Sequence, residues 1–197
     1  MKGNGGGMPE SNQLLINLIL YGILPLWGIC GFIDWCCHRA TRIEQTSGIK
    51  ESFIHSLMGF QLGIPILLGL TFKVNILILS ISIIAWLSHE VAAHWDVRYS
   101  APLRKISIWE VHVHNYMATI PLYLLMLVVI LNWDVVMKVV TGDWAGQFQF
   151  ERTETPRGSS GYLVGYLSFM TVLCVFPYLE ENIRCLRAAM QAKGGKA

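Results

Sequence analysis

The chain has 197 residues, the length of a single domain. It is 53% hydrophobic and only 14% charged, against roughly 25% charged in soluble domains. Its formal net charge of +2 comes without Lys/Arg runs interleaved with aromatics, which excludes nucleic acid as a partner. The apolar residues are bunched: Gln13 to Ile33 and Met117 to Trp133 carry no charge, and Ser52 to Phe72 holds only His55. Such runs approach the ~20 residues an α-helix needs to cross the hydrocarbon core. A chain this short cannot bury all of them, so a soluble globule is excluded as well.

In chain order, the Gly-rich start reads as a flexible tail over 1–12. The first apolar stretch is too long for a signal-peptide core and has no small-x-small cleavage pattern, so it reads as a membrane helix. Five membrane helices are predicted near 13–38, 51–72, 74–97, 107–132 and 161–183, making an all-α transmembrane helix bundle over 13–187 and a C-terminal tail over 188–197. Lys73 and Asn75 mark a tight turn between the second and third helices, and Pro102 breaks the chain before the fourth. The one long connection, 133–160, is polar and Gly-rich, with room for a short interfacial helix around 134–140. Pro65, Pro121 and Pro177 fall inside membrane stretches and are expected to kink them.

Orientation follows from the basic residues. Arg39, Arg42, Lys50, Arg98, Arg104, Lys105, Arg184, Arg187, Lys193 and Lys196 fall on one side; Lys2, Lys73, Lys138, Arg152 and Arg157 fall on the other. Ten against five predicts a multi-pass protein of the cell inner membrane, with its N-terminus outside and its C-terminus at the cytoplasmic face. The five cysteines, Cys30, Cys36, Cys37, Cys174 and Cys185, form no C-x-x-C pair and no disulfide framework.

One pattern recurs four times: an acidic residue followed four positions later by histidine, as Asp34–His38, Glu51–His55, Glu90–His94 and Glu110–His114. On a helix, i and i+4 lie on one face about a turn apart, so each pair offers an oxygen and a nitrogen in one direction. The pairs close helix one, open helix two, close helix three and open helix four, so all four lie at the predicted cytoplasmic face. His89 and His112, the remaining two of the six histidines, fall in the same segments, and Asp96 shares the face of His89. Helix five ends at this face too, with Glu180 and Glu181.

Mixed imidazole and carboxylate sets suit iron, zinc and manganese, and ligands gathered from facing helices are how di-iron carboxylate bundles are built. The ligand supply exceeds the needs of one four-coordinate zinc, which points to two transition-metal ions, with iron expected and zinc the alternative. The expected ligands are His38, His55, His89, His112 and His114 with Glu51 and Glu110; Asp34, Glu90, His94 and Asp96 are expected as supports or alternates. The bland alternative for any one pair is a His–carboxylate hydrogen bond fixing a helix end. Cys36 and Cys37 point in different directions on a helix and are expected to be inert, and the basic flanks Arg39, Arg42, Arg98 and Arg104 are explained by the charge bias across the membrane.

The run Asp34-Trp35-x-x-His38-Arg39, then Glu51-Ser52-x-x-His55, His89-Glu90 with Trp95-Asp96, and His112-Val113-His114 resembles a family of small uncharacterised bacterial integral membrane proteins. The likeness covers nearly the whole chain and implies no particular activity. More loosely, the layout resembles membrane di-iron desaturases and hydroxylases, which hold two irons at the cytosolic ends of their helices, although the H-x-x-H-H boxes of those enzymes are not found here. Three functions follow as expectations. The leading one is an oxidoreductase of lipid metabolism, of oxygenase, hydroxylase or desaturase type, taking a lipid or other membrane-dissolved hydrophobic substrate with an electron donor. The second is a zinc hydrolase of a lipid ester or amide, with Glu51, Glu90 or Glu110 as catalytic base. The third is a non-enzymatic metal- or haem-binding subunit or transporter.

Overall fold

The computed structural model describes residues 10–153 and 157–194. Most of the expected N-terminal tail, together with Lys2, Glu154 and Lys196, lies outside the described residues. The described residues form an all-α bundle with five long apolar helices, α1 (Glu10–Thr41), α2 (Ile49–Thr71), α3 (Ile76–Ser100), α4 (Ile108–Leu131) and α6 (Tyr162–Gly194), and a short amphipathic helix α5 (Trp133–Thr141) after α4. Each of the five is long and apolar enough to cross a membrane. The last helix runs on through residues 188–194, which the sequence places in a tail.

The helix boundaries have local causes. Asn75 and Ser107 cap α3 and α4, their side chains accepting hydrogen bonds from the backbone N–H of Ile78 (3.0 Å) and Glu110 (3.1 Å). Gly48 precedes α2 with φ +69°, a conformation open to glycine. Two wide π turns, Ile19–Ile23 in α1 and Thr171–Val175 in α6, each end two residues before a proline, Pro25 and Pro177. Proline supplies no N–H and crowds the carbonyl four residues back, and widening the preceding turn relieves both. Pro65 and Pro121 sit within α2 and α4, which remain α-helical around them.

Helix α2 packs chiefly on α3 and α6, and α1 on α4. The long connection after α5 is fastened to the α2–α3 turn: Lys73 N–H donates to Glu151 O (2.8 Å), Asn75 Nδ2 to Gln149 O (2.7 Å), and Thr153 N–H to Thr71 O (3.2 Å). Towards that face the bundle core is apolar, around Ile19, Leu20, Leu24, Leu70 and Tyr166. Towards the other face it changes character. There the fully buried side chains include His38, Glu51, Glu110, Glu181, Asp96, Ser52 and Ser100. Polar groups filling the core of a membrane bundle are costly and call for partners or a ligand.

Candidate metal centre

The polar core is assembled from the ends of four helices, the body of a fifth and one loop. Asp34 and His38 come from the end of α1, Glu51 and His55 from the start of α2, Asp96 from the end of α3, Glu110 and His114 from the start of α4, and Glu181 from α6. Glu51 and Glu110 are 0% exposed, and His38, Asp96 and Glu181 are each 1% exposed. The guanidinium of Arg104, in the loop between α3 and α4, turns inward to join them.

Glu181 organises the histidines. Its two carboxylate oxygens face two imidazoles, Oε2 lying 3.0 Å from His38 Nδ1 and Oε1 3.3 Å from His55 Nδ1. The two rings stack with centroids 4.4 Å apart and planes inclined by 13°. An ionised carboxylate only accepts, so both Nδ1 atoms must carry protons. In a neutral imidazole this leaves each Nε2 as a bare lone pair.

Those lone pairs face more carboxylate oxygen. His38 Nε2 lies 3.4 Å from both Asp34 Oδ2 and Glu110 Oε1, and His55 Nε2 lies 3.2 Å from Asp96 Oδ1. His114 Nε2 completes the set at 2.9 Å from Asp34 Oδ1. Yet His38 Nε2, His55 Nε2, Asp34 Oδ1 and Asp96 Oδ1 are all buried without a hydrogen-bond partner. Imidazolium rings donating from Nε2 would make charge-assisted hydrogen bonds of about 2.7–2.9 Å, shorter than the 3.2–3.4 Å found at His38 and His55. Lone pair facing lone pair is repulsive unless a cation lies between them.

The spacing suits a metal ion. Atoms about 2.1 Å from a common ion are about 3.0 Å apart at a right angle and about 3.4 Å apart at the tetrahedral angle. The contacts above run from 2.9 to 3.4 Å. Two overlapping ligand sets emerge, Asp34, His38, Glu110 and His114 in one and His38, Glu51 and His55 in the other, with ligand atoms in each set within 4.8 Å of one another. A buried His/Asp/Glu cluster able to hold a metal ion is therefore present.

Arg104 provides one cation of its own. Its Nε lies 3.1 Å from both oxygens of Glu51, Nη1 lies 3.0 Å from Glu110 Oε2, and Nη2 reaches both carboxylates. Burial opposes the guanidinium charge, but the hydrogen bonds it donates to Glu110 and Glu51 more than offset this and hold Arg104 above its ordinary value. Five carboxylates, Asp34, Glu51, Asp96, Glu110 and Glu181, against this single guanidinium leave four negative charges. An isolated buried charge costs several kcal/mol even after relaxation, so the cluster needs further positive charge. Two divalent ions would neutralise it with all three histidines neutral.

The remaining sequence candidates lie elsewhere. His94 and His112 are exposed. His89 is buried, 3.5 Å from its neighbour Glu90, and neither belongs to the two ligand sets. Cys36 is exposed and Cys37 partly so, both free. Glu180 belongs to the rim: it accepts from Trp35 Nε1 (2.9 Å) and pairs with Arg39 (2.7 Å) and Arg184 (3.2 Å). Two contributors carried no strong sequence signal. Arg104 sits in a loop with no periodicity. Tyr178 wedges between helices, its ring edge 2.8 Å from where a Cβ on Gly59 would lie and its hydroxyl 3.9 Å from one on Gly31.

Comparisons with known protein families, curated proteins and solved structures give no match to this chain. The reading therefore rests on the chemistry of the cluster.

Above the cluster, inside the apolar half, lies a cavity of about 110 Å³. It is lined at its cluster-side end by Trp27, Leu62, Trp86 and Ile120 and at its far mouth by Asn132 and Arg157. A hydrogen bond from Trp27 Nε1 to Met117 O (3.4 Å) crosses between α1 and α4 beside it.

Proposed function

We propose that the cluster is a two-metal centre, with iron as the metal, and that the protein is a membrane oxidoreductase acting on a lipid or other membrane-dissolved substrate. The observation that carries the metal reading is the pair of buried Nε2 lone pairs on His38 and His55, oriented by Glu181 and facing Asp34, Glu110 and Asp96 without hydrogen bonds. The charge balance supports two ions rather than one. The donor set supports iron, because carboxylates outnumber imidazoles in it, as in bundles that hold two irons between facing helices. An apolar cavity within the same bundle supports a hydrophobic substrate.

Bound iron would supply oxygen activation and one-electron chemistry. The chain's own groups have defined tasks beside it. Asp34, His38, Glu110 and His114 form one ligand set, and His38, Glu51 and His55 form the second, with Asp96 beside His55. Glu181 fixes both imidazole tautomers, and Arg104 holds Glu51 and Glu110 in place while partly neutralising them. The excess of basic residues at this end of the bundle supports a centre at the cytoplasmic face of the inner membrane, where a soluble electron donor could reach it.

The test is metal analysis and oxygen uptake by detergent-purified protein given a chemical reductant. Iron bound in stoichiometric amount, with substrate-dependent oxygen consumption, is the expected result. Zinc alone, with turnover of a lipid ester or amide under strict anoxia, would overturn it in favour of a hydrolase using metal-bound water.

A further inference from the structure

The apolar cavity has one cationic residue, and that residue is at its far mouth. Arg157 lines the cavity there, its Nε buried without a hydrogen-bond partner. Among the described residues no carboxylate pairs with it, and burial alone pushes its guanidinium below the ordinary value. Arg157 is half-buried; a guanidinium partly withdrawn from water without an anion is unfavourable, and a carboxylate would pair with it in bidentate fashion. The rest of the lining is almost wholly apolar. Along α4 it runs from Ile120 to Leu131, about 16 Å by helical rise and so on the scale of a single acyl chain. Its cluster-side end, at Trp86, lies one turn from His89 and points the cavity towards the metal layer.

We propose that this cavity binds a single-chain fatty carboxylate, its head on Arg157 and its alkyl tail extending towards Trp27 and Trp86. One guanidinium matches one negative charge, which favours a carboxylate over a phosphate monoester, whose charge at neutral pH is about −1.5 to −2. The inference rests on the oxidoreductase reading only in naming the substrate of that site; the binding itself requires no metal. A chain held this way presents its tail, not its head, to the metal layer.

Two tryptophans in the lining supply the readout. A bromine-labelled fatty acid titrated into the full chain in detergent should quench Trp27 and Trp86 saturably, and the saturable component should vanish in Trp27→Phe/Trp86→Phe. Losing a charge-assisted pair in Arg157→Gln should weaken binding about 10- to 100-fold, and Arg157→Lys should recover part of the loss. Gly69 lines the cavity with open space around its Cβ direction, so Gly69→Leu should fill the cavity and abolish quenching while the fold is retained. Stripping metal with a chelator should leave the affinity unchanged. Equal affinity for the matched brominated alcohol, tighter binding of the brominated alkyl phosphate, or an unaltered titration in Arg157→Gln would overturn the proposal. Saturable binding by a chain that carries no iron and consumes no oxygen would keep this site and sink the oxidoreductase reading; iron-dependent oxygen uptake with another substrate and no fatty-acid binding would do the reverse.

Discussion

Glu181 offers the sharpest perturbation, because one carboxylate serves two imidazoles, at 3.0 and 3.3 Å. In Glu181→Ala both Nδ1–H groups lose their acceptor, the rings are free to rotate or exchange tautomers, and the Nε2 lone pairs are no longer aimed at the carboxylates. Loss of a carboxylate behind one metal-bound histidine costs about 10- to 100-fold in metal affinity. With two histidines on the same carboxylate, the upper end of that range is expected. Glu181→Gln should be graded. Its amide oxygen can still accept from one Nδ1–H, but its NH2 donates to the other, forcing the proton on that ring to Nε2 and removing one ligand. One metal should then be held near wild-type affinity while the second is weakened. The assay is competition for metal between each purified variant and a chromophoric chelator, with Glu180→Gln as control. Glu180 is the adjacent residue but bonds to Trp35, Arg39 and Arg184 at the rim, so its replacement should shift affinity by no more than about twofold, the scale of a surface change. Equal affinities for wild type, Glu181→Ala and Glu180→Gln would refute the idea that Glu181 orients metal ligands.

Three further outcomes are expected. Arg104→Gln leaves Glu51 and Glu110 buried without their cation, which should destabilise metal-free protein by about 3–5 kcal/mol while adding to the pull on a metal; thermal unfolding with and without chelator should show a wider gap than in wild type. His94→Ala and His112→Ala, at exposed positions, should leave metal content and affinity as they are in elemental analysis. Gly59→Leu drives a side chain into the Tyr178 ring, 2.8 Å from the new Cβ, and should cost about 1–3 kcal/mol by overpacking, read as a lower unfolding midpoint in detergent.

The five membrane helices were legible because length and hydropathy alone define them, and so was the convergence of polar residues on one face, because helix ends alternate between faces. The pairing within the cluster was not. Spacing at i and i+4 matches Asp34 with His38, and these two do approach at 3.4 Å. Elsewhere the nearer partner lies on a facing helix: His114 turns to Asp34, His55 to Asp96 and Glu181, and Glu51 to Arg104. A neighbour across a tight helix–helix contact competes with the residue one turn away, and sequence spacing carries no account of it. His112 was separable in principle. Two residues from both Glu110 and His114, it falls about 200° around the helix from each, and so on the opposite face. The same applies to His94 against Ala92 and Asp96, both buried. Glu181 had a faint signal in the spacing of Pro177, Glu181 and Cys185, which the structure buries as one stripe. The inward turn of Arg104 had none, since a loop has no period from which to read direction. The π turns of α1 and α6 precede Pro25 and Pro177, prolines that read as simple kinks or passed without remark; what was missed is that helices can widen a turn before them.

The most direct measurement is the metal content of detergent-purified protein after iron or zinc supplementation, set beside Asp34→Asn/His114→Ala. Wild type should hold about two ions per chain, as two-metal carboxylate bundles do, and the double variant, with its helical circular dichroism intact, should lose at least one. Wild-type protein that stays metal-free under both supplements, while folded and helical, would contradict the account at its centre and leave the cluster as a buried network of protonated histidines and carboxylates.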